Sequence, residues 1–147
     1  MRELNHVNII KLIEVHETDN SIYMVLELLQ GGNLVDYLKQ HGKFTEKEAA
    51  IFMRAILRGI SQLHSKNIMH RDLKPENILF RNNEINEDNI CIVDFGLSTF
   101  VDVEEYLFVR CGTPGFVAPE VINLKDLTKK YDKICDIFSI GIIFHIL

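Results

Sequence analysis

The segment 70–77, His-Arg-Asp-Leu-Lys-Pro-Glu-Asn, places two carboxylates, an arginine, a lysine and an amide within eight residues. Asp72 can accept a proton from a hydroxyl, and Lys74 can balance negative charge that develops nearby. Asn77 offers a neutral oxygen of the kind that binds Mg²⁺. Pro75 lacks an N–H and has a fixed φ, which makes the segment a shaped loop. A solvated surface cluster is the alternative interpretation, but this concentration of reactive groups favours a catalytic loop.

A helix in front of this loop must hold it in place. Thr45-x-x-Glu48 is a capping-box pattern, which satisfies free N–H groups at the start of a helix. Apolar residues then recur at spacings of three and four and predict one buried stripe as far as about His64. The residues of this stripe are Met53, Ile56, Ile60 and Leu63.

The chain before that helix reads as a hairpin followed by a turn. An apolar run at 10–15, polar turn residues at 18–20 and an alternating run at 22–28 indicate two antiparallel strands. Gly31-Gly32 breaks the alternation. The apolar spacing over 34–38 then predicts a short helix.

The chain after the loop alternates between short apolar runs and polar stretches. Apolar runs at 77–80 and 90–93 predict two more strands, and the polar stretch 81–89 between them is typical of a solvated turn. No period is sustained from 94 to 120, which predicts a long functional loop. The segment from about Cys135 predicts a helix that is buried on most sides.

Composition limits the class of protein. Of the 147 residues, 47% are hydrophobic and 25% are charged, as in ordinary globular proteins. A net charge of −5 argues against a protein held mainly by nucleic-acid phosphates. Cys91, Cys111 and Cys135 are scattered, which favours inert thiols in a reducing compartment.

No targeting or membrane segment is evident. The first residues contain no apolar signal core, and the longest apolar stretch, Ile134–Leu147, is too short and too polar to span a bilayer. We therefore expect no membrane span, no nucleic-acid partner and an intracellular, cytoplasmic location.

Segment 70–77 resembles the catalytic loop of eukaryotic protein kinases, and other stretches match that family in the expected order. Asp94-Phe95-Gly96 resembles its magnesium-binding motif, and 112–120 resembles the end of its activation segment. Segment 136–141 resembles the start of the central helix of the large lobe. Segment 4–10 resembles the exit from the regulatory helix of the small lobe. The resemblance covers essentially the whole chain.

This resemblance implies an α+β, two-lobed fold with an ATP cleft between the lobes. Residues 1–29 are expected to be a remnant of the small lobe, comprising a helix tail, the hairpin and the hinge. Residues 30–147 are expected to be part of the large lobe, with the catalytic loop, the activation segment and the start of the central helix. The apolar run that reaches Leu147 has no cap or breaker, so we expect a fragment cut at both ends.

The resemblance also implies a reaction: transfer of the γ-phosphoryl group of ATP to a hydroxyl of a protein substrate. Asp72 would orient the hydroxyl and take its proton. Lys74 would steady the transferred group. Asn77 and Asp94 would hold the Mg²⁺ that bridges the phosphates.

The class and subgroup follow from smaller details. Leu-Lys-Pro-Glu-Asn at 73–77 is the form seen in serine/threonine kinases, and Thr113 agrees, because its matching position hydrogen-bonds the catalytic Asp and Lys in that class. Cys111 and the segments 92–98 and 115–120 look like the calcium/calmodulin-regulated kinase group. Regulation by calcium or calmodulin would act through segments outside this chain.

The nucleotide is expected along 27–32, which resembles the hinge between the lobes. The backbone at Glu27 and Leu29 would hydrogen-bond adenine, Leu26 would line the back of the pocket and Leu79 would press on the ring. Plain core packing is the alternative for these leucines. The other residues expected at the nucleotide are Lys74, Glu76, Asn77 and Asp94.

Two neighbours of the catalytic aspartate have other expected roles. His70 is expected to be structural and to pack against Phe95. Arg71 marks kinases whose activity often depends on an anion in the activation segment, yet Val109 stands at the usual acceptor position. The acids at 104–105 can supply a fixed negative charge or form a solvated turn.

Parts of a complete kinase are missing from these residues. The first glycine is Gly31, and the only lysine before the hinge is Lys11, so a glycine-rich phosphate loop and its lysine partner are absent. We expect the fragment alone to fold poorly and to have little or no activity. A non-catalytic kinase-like scaffold is the main alternative, and the intact charged loop argues against it. A small-molecule phosphotransferase is weakened by the peptide-docking stretch 112–120.

Overall fold

The computed structural model describes residues 1, 4–126, 128 and 130–147. Its α+β architecture combines helices with three short antiparallel strand pairs, β1–β2, β3–β6 and β4–β5. The strands are β1 (Leu12–Thr18), β2 (Ser21–Leu26), β3 (Ile68–Met69), β4 (Ile78–Phe80), β5 (Ile90–Ile92) and β6 (Thr99–Phe100). The helices are α1 (Leu34–His41), α2 (Glu46–Ser65), α3 (Pro119–Ile122) and α4 (Ile134–Ile146).

Helix α2 forms where the capping box predicts it. The Thr45 N–H donates to Glu48 Oε2 (2.8 Å), and the Glu48 N–H donates to Thr45 Oγ1 (3.3 Å), so donors of the first turn are satisfied. The buried side of the helix follows the spacing of three and four that the sequence predicts. Its buried residues are Phe52, Ala55, Ile56, Gly59, Ile60 and Leu63.

The main core lies between α2, the β4–β5 pair and the inner face of α4. Phe52 and Phe80 pack with their ring centroids 6.2 Å apart, and Ile140 and Ile143 of α4 close the cluster. Leu73 belongs to the same cluster and is fully buried. The segment that carries the reactive side chains is therefore anchored to the core by its own apolar residue.

The predicted hairpin is present as β1 and β2, with its turn at Asp19 and Asn20. Successive residues of β2 are exposed on both faces of the hairpin. Segment 8–10, which leads into β1, is hydrogen-bonded to β5. The Ile10 N–H donates to the Ile92 carbonyl, and the Ile92 N–H donates to the Asn8 carbonyl, both at 2.9 Å. This backbone pairing ties the hairpin to β5.

The polar stretch between β4 and β5 is a mostly exposed turn, as predicted, and ends in one buried residue. Asn89 is buried, and its side chain accepts from the Asn82 N–H (2.9 Å) and donates to the Asn82 carbonyl (3.0 Å). It also donates to the Glu84 carbonyl. One asparagine at the end of the loop thus holds the beginning of the loop in place.

The long stretch 94–120 is mostly irregular, as predicted, but it contains β6 and the start of α3. A second apolar cluster holds this stretch against the start of α4, with Tyr106 and Tyr131 at its centre. Their ring centroids lie 5.3 Å apart. The loop is thus packed along much of its length.

The final helix is present, but the prediction that it is buried on most sides is wrong. Cys135, Asp136, Ser139, Ile140 and Ile143 face inward, while a second set of apolar residues is exposed. This outer set is Ile134, Ile137, Phe138 and Phe144. The described chain covers one face of α4 only. Among the described residues, no helix has both the length and the apolar character needed to cross a membrane.

Adjacent residues of α2 provide a matched test of this core. Ile56 is fully buried and Leu57 is exposed. We expect Ile56→Ala to reduce the free energy of unfolding by about 2–5 kcal/mol, because it leaves a cavity in the core. Leu57→Ala should change it by less than about 1 kcal/mol. Urea unfolding followed by circular dichroism measures both, and similar losses in the two variants would contradict this account of the core.

Candidate active site

Three side chains meet at the centre of the loop 70–77. Thr113 Oγ1 donates to Asp72 Oδ1 (2.7 Å), Lys74 Nζ donates to Asp72 Oδ2 (2.8 Å), and Lys74 Nζ also donates to Thr113 Oγ1 (2.8 Å). We call these three residues the Asp72 triangle. Asp72 is largely buried, and Lys74 is partly buried beside it. The structure thus brings together three side chains that the sequence analysis named, one of them 41 positions from Asp72.

The triangle determines the charge of Asp72. Burial acts to raise the pKa of the Asp72 carboxyl, but the hydrogen bonds from Lys74 and Thr113 and the charge of Lys74 outweigh it. The pKa of Asp72 therefore lies below its ordinary value. The carboxylate is ionised at neutral pH and can accept a hydrogen bond or a proton.

Asn77 is the fourth side chain at this point. Its Nδ2 donates to the Asp72 carbonyl (2.8 Å) and lies 3.3 Å from Asp72 Oδ2. A 3₁₀ turn over Pro75–Asn77, with proline at its first position, brings the amide back over the aspartate. Because the nitrogen of the amide is committed to Asp72, the oxygen Oδ1 is the atom available to a ligand.

Asp94 stands close to Asn77 along the backbone. The Val93 N–H donates to the Asn77 carbonyl (3.0 Å), and Asp94 is the next residue after Val93. Asp94 itself is exposed, has a φ of +60° and accepts from the Gly96 N–H through Oδ1 (3.1 Å). A carboxylate and an amide oxygen are ligand types that suit Mg²⁺, so the two residues fit the ion that the sequence analysis expects.

The triangle rests on a buried carboxylate, Asp136 of α4. Its Oδ2 accepts from the His70 N–H and from His64 Nε2, and its Oδ1 accepts from the Arg71 N–H, all at 2.9 Å. Arg71 has a φ of +69°, a strained conformation for an arginine. The two backbone bonds to one carboxylate hold this turn immediately before Asp72.

His70 is structural, in agreement with the sequence analysis. Its Nε2–H donates to the Val93 carbonyl (2.9 Å), its Nδ1 accepts from the Asp72 N–H (3.3 Å), and its ring packs edge-on against Phe95 at 5.1 Å. Burial lowers the pKa of His70, which outweighs the opposing charge of Asp136. The ring is thus a neutral bridge between the loop 70–77 and Val93.

Arg71 holds the stretch after Asp94 through neutral acceptors. Its Nε donates to the Leu97 carbonyl (2.7 Å), and one terminal nitrogen donates to the Phe108 carbonyl (2.6 Å) and to the Tyr131 hydroxyl (3.0 Å). The guanidinium also lies over the Tyr106 ring, 5.3 Å from its centroid. The acids at 104–105 are exposed and take no part in these bonds.

Sequence reasoning missed two residues of this cluster, Tyr106 as a packing partner and Tyr131. Tyr106 is buried, and its hydroxyl donates to the Tyr131 carbonyl (2.9 Å). No local pattern marks Tyr131, because its partners lie 20 to 60 positions away.

The residues expected at a nucleotide differ in their exposure and in their contacts. Glu27 uses its side chain structurally, because its Oε1 accepts from the Lys11 N–H and from Arg81, both at 2.9 Å. In the described part of the chain, the Glu27 carbonyl and the Leu29 N–H have no backbone hydrogen bond, which leaves both groups available. Leu26 is exposed, and Leu79 is partly exposed on the side of β4 opposite the core.

Glu76 and the two larger cavities are separate features of the described residues. Glu76 is exposed beside the 3₁₀ turn. Cavities of about 440 and 470 Å³ lie beside α1 and on the outer side of α2. Neither is lined by Asp72, Asn77 or Asp94.

The three cysteines are free thiols. Burial raises the pKa of Cys91 to about 12 and also raises that of Cys135. Both thiols are therefore unreactive at neutral pH. Cys111 is partly exposed, with its sulfur 3.8 Å from the Tyr131 hydroxyl.

Comparison with known proteins shows which family this chain resembles. The family described as protein kinase domain matches residues 1–147. Myosin light chain kinase A of Dictyostelium discoideum is 42% identical over 147 residues, which are 100% of this chain and 48% of that protein. Calcium-dependent protein kinase 5 of Plasmodium falciparum is 47% identical over 148 residues, covering 100% of this chain and 25% of that protein.

A third relative is calcium/calmodulin-dependent protein kinase type 1 of Macrobrachium nipponense. It is 41% identical over 147 residues, covering 100% of this chain and 41% of that protein. The chain thus spans less than half the length of each of these relatives. The predicted resemblance to the calcium/calmodulin-regulated group and the predicted α+β kinase fold are both confirmed. The chain belongs to the protein kinase domain family.

Proposed function

We propose that the protein carrying this chain is an ATP-dependent serine/threonine protein kinase. The observation that supports this most directly is the Asp72 triangle, in which an ionised carboxylate, an ammonium group and a threonine hydroxyl lie within 2.8 Å of one another. A carboxylate that is ionised and held rigidly can orient a substrate hydroxyl and take its proton. Lys74, beside it, supplies the positive charge that phosphoryl transfer requires.

Each residue of the triangle has a separate role in this proposal. Asp72 binds the hydroxyl of the acceptor side chain. Lys74 neutralises charge on the transferred phosphoryl group. Thr113 keeps the carboxylate and the ammonium group in register. A serine or threonine acceptor is proposed from the form of segment 73–77, Leu-Lys-Pro-Glu-Asn.

Asn77 and Asp94 would hold Mg²⁺ through an amide and a carboxylate oxygen. Magnesium supplies charge neutralisation on the phosphates of ATP. Asn77 contributes orientation, because the two contacts of its nitrogen with Asp72 fix the direction of its oxygen. Through these contacts Asn77 would hold the cation beside the residue that binds the acceptor hydroxyl.

The adenine of ATP is proposed to bind along the hinge, at the carbonyl of Glu27 and the N–H of Leu29. Leu26 and Leu79 would contact the ring, and Glu76 would lie beside the sugar and phosphates. The ion pair of Glu27 with Arg81 supports this arrangement, because it fixes the hinge backbone without using its adenine-facing groups.

The remaining proposals concern the wider protein. We propose that residues 1–29 belong to a small lobe and 30–147 to a large lobe. Regulation by calcium or calmodulin is proposed from the names of the relatives and would act through other segments. The free thiols favour a reducing, intracellular location.

The first test is removal of the proton acceptor. In the full-length protein, Asp72→Asn should lower the rate of phosphoryl transfer by about 10²–10⁴-fold, because the amide cannot take a proton. Transfer of radiolabelled γ-phosphate from Mg-ATP to a protein substrate, with phosphoamino-acid analysis, measures the rate and the acceptor type. Asp132→Asn is the control, since Asp132 is exposed. Equal activity of Asp72→Asn and the unaltered protein would refute the mechanism and favour a scaffold.

The second test uses the pKa of Asp72. Thr113→Val removes a hydrogen bond to the ionised carboxylate while burial remains, so the pKa of Asp72 should rise. The protonated, inactive form then persists to higher pH, and the acid limb of the kcat/KM profile should move upward by about one unit. Thr18→Val in the hairpin turn should leave the limb in place. An unmoved limb in Thr113→Val would contradict the role given to the triangle.

A third test concerns the 147 residues alone. No glycine precedes Gly31, and Lys11 is exposed at the start of β1, so these residues supply few groups to the phosphate side of ATP. Removal of a single preorganised donor lowers rates by about 10²–10³-fold, and we expect at least that deficit relative to the full-length protein. Equal-concentration assays with circular dichroism as a check of folding measure it. Matching rates would show that these residues suffice.

A further inference from the structure

Neutral groups hold the cation of Arg71 in place. Arg71 is largely buried, and it forms no ion pair with any residue that the structure describes. Three of its five N–H groups donate to the Leu97 carbonyl, the Phe108 carbonyl and the Tyr131 hydroxyl. Burial of a charge is unfavourable unless hydrogen bonds replace the water that is lost. These acceptors therefore stand where a counter-ion is otherwise expected.

The Tyr131 hydroxyl is itself fixed by packing. Tyr131 is buried, and the Tyr106 hydroxyl donates to its carbonyl (2.9 Å). The two rings pack with their centroids 5.3 Å apart, and the Tyr106 ring also lies 5.3 Å from the Arg71 guanidinium. Burial raises the pKa of Tyr131, so the hydroxyl is uncharged at neutral pH and meets the cation as a dipole.

Little space remains for an anion on this side of the guanidinium. The cavity that Arg71, Cys111 and Tyr131 line has a volume of about 10 Å³, close to the least that one water molecule needs. A phosphate group is several times larger than a water molecule. Val109, at the usual acceptor position, has no hydroxyl, and the acids at 104–105 are exposed.

The orientation of Arg71 matters for the proposed reaction. Its backbone N–H is bonded to Asp136, and its φ of +69° shapes the turn immediately before Asp72. Its side chain holds two carbonyls of the stretch that follows Asp94. A displaced guanidinium would therefore release that stretch from the loop 70–77.

We propose, on the basis of the kinase function proposed above, that Tyr131 is a positioning residue whose hydroxyl takes the place of a phosphate on the stretch 97–111. Phosphoryl transfer then needs no anion at Arg71. Tyr131 touches neither the acceptor hydroxyl nor the nucleotide. It acts through Arg71, whose guanidinium it directs at the carbonyls of that stretch.

The first test removes every phosphate. Full-length protein is treated with a phosphatase, its phosphate-free state is verified by mass spectrometry, and the initial rate of transfer from Mg-ATP is measured. The kcat should equal that of the untreated protein, because Arg71 is already held by neutral groups. A lower kcat after treatment would overturn the proposal.

The second test removes only the oxygen of Tyr131. Tyr131→Phe should lower kcat about tenfold, because a hydrogen bond to a charged group is lost, and should leave the KM for ATP unchanged. Val109→Glu supplies a carboxylate near Arg71 and should restore kcat in Tyr131→Phe while having little effect alone. Tyr23→Phe is the matched control, since Tyr23 is exposed in the hairpin. An unchanged kcat in Tyr131→Phe, or no restoration by the carboxylate, would refute the role of Tyr131.

A readout without activity separates this inference from the proposed function. In ¹⁵N-labelled, phosphate-free full-length protein, the Arg71 Nε–H signal should be protected from exchange and should not respond to added inorganic phosphate. In Tyr131→Phe the same signal should shift and exchange faster. Absence of phosphoryl transfer in the unaltered protein would refute the proposed function. A saturable shift of the Arg71 signal by inorganic phosphate would refute this inference alone.

Discussion

The buried carboxylate of Asp136 is the interaction on which the rest of the site depends. It lies in α4, yet it accepts hydrogen bonds from the backbone of His70 and Arg71 and from the side chain of His64. A carboxylate without solvent is unfavourable unless such donors surround it. The same bonds hold Arg71 at a positive φ. One residue therefore connects α2, α4 and the loop 70–77 and holds a strained backbone conformation just before Asp72.

The side chains around Asp72 are held rigidly, whereas other residues of the proposed site are exposed. Asp72, Lys74, Thr113 and Asn77 are linked by direct hydrogen bonds and rest on the main core through Leu73. Asp94 and the hairpin, by contrast, are exposed. The groups proposed for the acceptor hydroxyl are thus preorganised within this chain. Those proposed for the nucleotide are positioned by backbone geometry and have few contacts around them.

Features that depend on neighbouring residues could be predicted from the sequence. The capping box at Thr45 and Glu48 and the spacing of the apolar residues located α2, and the alternation over 22–28 located the hairpin. The loop 70–77 could be identified because its chemistry is concentrated in eight residues. The roles proposed for its side chains stay predictions, although the structure brings Asp72, Lys74, Asn77 and Thr113 into contact.

Features that depend on distant contacts could not be predicted in this way. Tyr131 reaches Arg71 across 60 positions, and no pattern near Tyr131 records that contact. The apolar residues of α4 look alike in sequence, so hydropathy alone could not show that Ile140 is buried and Ile137 exposed.

Arg71 shows how neutral groups can satisfy a largely buried cation. Its hydrogen-bond partners are two carbonyls and the Tyr131 hydroxyl, and the Tyr106 ring lies against the guanidinium. Each carbonyl directs the negative end of its dipole at the charge, and the ring presents its negative face. Since both carbonyls belong to the stretch that follows Asp94, that stretch is held near Asp72 by its own backbone. The conformation of this stretch therefore depends on Arg71. The backbone N–H of Arg71 is in turn bonded to Asp136.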